Sequence, residues 1–67
     1  MVAYRTGEFE RAAVTAEGAE VLARARGDAE LTARCVEVRA MALTDLGRFA
    51  EARTAYQTAR AAFEDLS

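Results

Sequence analysis

Glycine falls at positions 7, 27 and 47, and the chain contains no proline. Glycine enters the left-handed backbone region without a Cβ penalty, which makes it the usual helix terminator. A glycine every twenty residues therefore predicts three helices of about eighteen residues joined by tight turns. Turns this short make successive helices antiparallel neighbours. No β-branched alternation suggests a strand, so the expected class is all-α. One domain spans residues 1–67, with helices expected over about 8–26, 29–46 and 49–66.

The third interval carries the strongest pattern. Phe49, Ala52, Tyr56, Ala59, Phe63 and Leu66 follow one another at steps of three and four, which places them on one face of a helix. Forty residues earlier, Gly7, Phe9 and Ala12 match Gly47, Phe49 and Ala52. A repeat of this length belongs to stacked helical hairpins rather than to a closed globule. Small residues at Ala12, Ala19, Ala52 and Ala59 let backbones approach at the low end of the roughly 8–10 Å interaxial range. The aromatic side chains Phe9, Phe49, Tyr56 and Phe63 are expected to fill the wedges between hairpins as core packing, not as a ligand cage.

In chain order, Met1–Thr6 reads as the last turn of a preceding helix, stopped by Gly7. The first full helix then joins Phe9, Ala12, Ala13, Ala16, Ala19, Leu22 and Ala23 on a broad apolar face. Glu20 and Arg24 are ordered for a favourable i,i+4 pair, as are Glu30 and Arg34 in the next helix. Gly18 costs about 1 kcal/mol inside a helix, so either a neighbour packs close there or the helix is weaker. Gly27 is a C-terminal stop and Asp28 a candidate N-cap. In the second helix Leu31, Cys35, Val38, Ala42 and Leu46 form a stripe that Val36, Ala40 and Leu43 widen. A helix that apolar is sandwiched between two others. In the third, Ala55 and Ala62 lie off the main stripe and are expected to make its outer side partly apolar.

Composition removes several function classes. The net charge is -2, which lacks the positive excess of a nucleic-acid or anionic-membrane surface. All nine basic residues are Arg, and there is no His and no Lys, so the usual general bases and Schiff-base amines are missing. The single Cys35 has no activating histidine and reads as a small buried hydrophobe. No phosphate loop, metal-ligand spacing or cofactor motif occurs. No apolar run reaches the ~20 residues of a membrane span, and no signal peptide opens the chain. The expectation is a soluble, cytoplasmic, non-enzymatic protein. A chain of this size buries only about 60 % of its unfolded surface, so association with other chains, or with further repeats, is expected.

The stretch LGRFAEARTAYQTA resembles the second helix of a tetratricopeptide repeat. Gly47, Phe49, Ala52, Tyr56 and Ala59 stand at that family's small, aromatic, Ala, aromatic and Ala places. Gly7, Phe9, Ala12 and Ala19 form a degenerate version, with Ala16 where an aromatic is expected. The period of forty residues exceeds the family's usual ~34, and the longer helices with LARARGD at a junction are similar to the extended variety in large bacterial signalling and transcription regulators. The resemblance implies an α-solenoid fragment of three helices that serves as a protein-interaction scaffold within a larger regulator. It also implies that the second helix lines the concave, partner-binding side, where Arg34, Glu37, Met41, Thr44 and Asp45 would contact a protein or peptide. Glu37 and Met41 do not suit capture of a C-terminal carboxylate. The alternative function is a self-associating helical module.

Overall fold

In a computed structural model, the described backbone covers residues 2–66, with side chains from Gly7 onward. It is all-α: α1 (Val2–Ala25), α2 (Ala29–Asp45) and α3 (Phe49–Leu66), with no strand among the described residues. The two turns are built alike, for a reason that lies in the local sequence. Gly27 has φ +71° and Gly47 φ +79°, where an L side chain would be strained. At the first turn the N–H of Gly27 donates to the Arg24 carbonyl and that of Asp28 to the Ala23 carbonyl. At the second, Gly47 donates to Thr44 and Arg48 to Leu43. These pairs satisfy the carbonyls that a helix end leaves without partners. Asp28 then caps α2, its Oδ1 accepting from the Leu31 N–H at 3.0 Å. Arg48 occupies the same place before α3, and its guanidinium instead meets Glu51 at 3.1 Å.

Gly7 does not behave like the other two. The helix runs through it without a break, so α1 begins at Val2 rather than near residue 8. The backbone of Met1 lies outside the described residues, as do the side chains of residues 1–6. Gly7 is compatible with a helix interior as well as with a stop, at a cost of about 1 kcal/mol against Ala. Continuing the helix keeps its hydrogen bonds.

Helix α2 packs against α1 on one side and α3 on another, while α1 and α3 have no close backbone approach to each other. The result is an open arrangement with principal extents of 40 × 21 × 14 Å. The Cα radius of gyration is 12.2 Å, against about 11 Å for a compact domain of this length. The expected sandwiching of α2 is present. The main core lies between α2 and α3, where Val36, Ala40 and Leu43 meet Ala52, Ala55 and Ala59, with Phe63 packed against them. On the other side Ala16 and Ala23 of α1 are buried, as is Cys35 of α2.

Several expected core positions turn out otherwise. Ala55 is among the most buried residues of α3, not on its outer side, and Ala62 is half-buried. Phe49 is 66 % exposed and Tyr56 42 % exposed, so neither fills a wedge between hairpins. Leu22, Leu31 and Val38 are also exposed. On α1, Ala12 is exposed and Ala19 half-buried, while Ala16 carries the contact. One physical cause covers the exposed bulky residues. Alanine seams bring helix axes close, so each interface settles on the narrowest strip of small residues and leaves bulkier neighbours at its margin.

Candidate functional site

The side of α2 that neither neighbour covers forms a ridge. Arg34, Glu37, Met41, Thr44 and Asp45 are all exposed there, since their steps of three and four repeat the helical turn. Val38, 49 % exposed, lies at the margin of the same ridge. Arg34 Nη2 meets Glu30 Oε2 at 3.2 Å, with both side chains largely in solvent, so this pair contributes only tenths of a kcal/mol. The Thr44 hydroxyl donates to the Ala40 carbonyl at 3.0 Å and is tied to its own helix. The ridge thus offers one apolar side chain, Met41, among charges of both signs.

Shallow grooves border α2 on either hand. Between α1 and α2 the groove is lined by Ala12, Ala16, Ala19, Leu31, Cys35 and Val38, with Arg34 at its rim. Between α2 and α3 the lining is Thr44, Phe49, Arg53, Tyr56, Gln57 and Arg60. The first is wholly apolar because alanines line α1 there. The second is aromatic and basic; Phe49 and Tyr56 were expected there as core packing, whereas Arg53, Gln57 and Arg60 were not singled out from the sequence. Their spacing of four, three and four from Phe49 through Arg53 and Tyr56 to Arg60 was the available signal.

On the far side of the molecule, Glu20 ties α1 to α2. Its Oε2 accepts from Arg24 Nε at 3.2 Å and Nη2 at 2.9 Å. Its Oε1 lies 3.3 Å from Arg39 Nε. That second contact is an ion pair without hydrogen-bond alignment, and neither atom has a hydrogen-bond partner. The Glu20 side chain is 14 % exposed and that of Arg39 26 %, so the attraction is screened less than at the surface. The i,i+4 spacing predicts Arg24 as a partner. Arg39 is brought in only by the packing of α2.

Cys35 is a free, buried thiol in the floor of the α1–α2 groove. Among the described residues no group of three or more His, Cys, Asp or Glu could hold a metal ion, and no helix is long and apolar enough to cross a membrane. Comparison with protein-family models, with curated proteins and with solved structures returns no match for the chain.

Proposed function

We propose that this chain is a tetratricopeptide-type interaction scaffold, part of a larger cytoplasmic regulator, that presents the outer side of α2 to a protein or peptide. The observation that carries this reading is the open arrangement. Because α1 and α3 do not close on each other, α2 is held from behind, and its Arg34, Glu37, Met41, Asp45 side stays free. A closed three-helix bundle would gather its apolar residues at a common centre and leave no such ridge. The internal match of Phe9 and Ala12 to Phe49 and Ala52 supports a repeat.

The test is affinity capture with the native chain and two variants. Arg34→Glu combined with Met41→Asp alters the ridge, whereas Thr58→Arg alters the opposite side, where Thr58 lines a depression with Arg39 and Ala55. The expected result is that the Thr58 variant retains the native set of partners and the ridge variant loses it. Retention of the same partners by the ridge variant would reject the reading.

A second reading, a self-associating helical module, is favoured by one specific observation. The outward face of α1 exposes Val14 and Val21, and the groove side of α3 exposes Phe49 and Tyr56, apolar surface that an assembly would remove from water.

A further inference from the structure

We infer that copies of this chain join through the outward face of α1 on one copy and the aromatic groove face of α3 on the next. On α1, Val14, Gly18, Val21 and Ala25 recur at steps of four, three and four, on the side turned away from buried Ala16 and Ala23. Val14 is 68 % exposed and Val21 63 %. Gly18 is exposed between them, and an added Cβ would meet nothing within 4 Å. On α3, Phe49 and Tyr56 stand out from the surface beside Arg53 and Arg60.

Charge specifies the pairing. Glu10 and Glu17 border one edge of the α1 stripe, seven residues apart, and Arg53 and Arg60 border the aromatic stripe with the same spacing. Seven residues make about two helical turns and a rise of about 10.5 Å, so both pairs fall opposite one another together. Viewed along the chain direction, the glutamates follow one edge of their stripe and the arginines the other edge of theirs. The edges meet only when the two helices run in the same direction, with Glu10 against Arg53 and Glu17 against Arg60. Glu10, Glu17 and Arg53 have no ion-pair partner among the described residues, and Arg60 meets only Glu64, at 3.5 Å in solvent. The opposite edge of the α1 stripe carries Arg11, which falls on the aromatic side, where a guanidinium over Tyr56 is favourable.

The contact joins two different faces, so each copy keeps one of each free for the next, in a chain or a ring. The groove shares Thr44 with the α2 ridge, whereas Arg34, Glu37 and Met41 do not line it, and assembly is tested separately from partner binding there.

The experiment uses the full chain and sedimentation over about a hundredfold range of concentration. The native chain is expected to assemble as concentration rises. Glu10→Arg/Glu17→Arg and Arg53→Glu/Arg60→Glu each place like charges in the contact, which weakens assembly about a hundredfold, while circular dichroism shows unchanged helix content. Mixing the two variants restores a complex, because the unaltered faces of the two meet at one contact and the reversed charges face each other at the other. A control, Glu30→Arg/Glu37→Arg, has the same net charge as the first variant but carries its changes on α2. It keeps both contact faces, so by itself it must assemble as the native chain does. A monomeric native chain throughout the range, failure of the mixed variants to associate, or loss of assembly in the α2 control would each overturn the inference.

Discussion

Alanine is the residue on which this structure turns. Ala52, Ala55 and Ala59 are nearly inaccessible on α3, and Ala33 and Ala40 are fully so on α2. A side chain this small contributes little transfer energy by itself. It allows the axes to approach, and Val36 and Leu43 then supply the apolar area. Leucine at Ala52, Ala55 or Ala59 should therefore overpack the seam and destabilise by about 1–3 kcal/mol. Leucine at exposed Ala50 should change stability by less than about 0.5 kcal/mol. Urea unfolding of the four variants checks this, and equal tolerance at all four sites would contradict the close-packed seam. Glu20 is the second residue of this kind. Glu20→Gln removes the charge that faces Arg24 and Arg39, and leaves a buried Arg39 Nε without its counter-charge. The expected loss is about 1–3 kcal/mol. A double-mutant cycle with Arg39→Gln should show coupling, and additive effects would mean that the pair contributes nothing.

At the level of elements, glycines of opposite role allow a test by one kind of substitution. Gly27 and Gly47 hold left-handed turns, so alanine there should destabilise by about 1 kcal/mol or more. Gly7 and Gly18 lie inside α1, where an added Cβ meets nothing within 4 Å. Alanine at either should stabilise by roughly 0.5–1 kcal/mol, because it limits the unfolded chain and favours the helix. Thermal melting of the four alanine variants gives the signs directly. A destabilised Gly7→Ala would show that the helix breaks there after all. The helix starts differ in the same way. Asp28→Ala should cost about 0.5–2 kcal/mol through loss of the cap, whereas Arg48→Ala removes only an exposed pair with Glu51 worth tenths of a kcal/mol.

For the molecule as a whole, the open arrangement means that protection from solvent is unevenly shared. Only α2 is covered on two sides. Its amides, from about Leu31 to Leu43, should exchange slowest, followed by the part of α3 around Ala52–Ala59. The N-terminal half of α1, where among the described side chains only Phe9 and Ala13 are half-buried before Ala16, should exchange fastest. Hydrogen exchange read residue by residue tests this ranking. Stronger protection in α1 than in α2 would imply a covering surface that a single copy does not have.

Periodicity and turn chemistry determine the number, type and ends of α2 and α3, because both are local. A glycine stop needs only its own φ, and the Asp28 cap needs only the three residues that follow it. The candidate ridge on α2 was legible for the same reason, as a less apolar face at helical spacing. The choice of face at each interface was not. In helices this rich in alanine, several strips are narrow enough to pack, and the differences between them are small when each is considered alone. Which strip wins is settled when α2 must satisfy two neighbours at once. That competition buries Ala55, leaves Phe49 and Tyr56 in solvent, and brings Arg39 to Glu20.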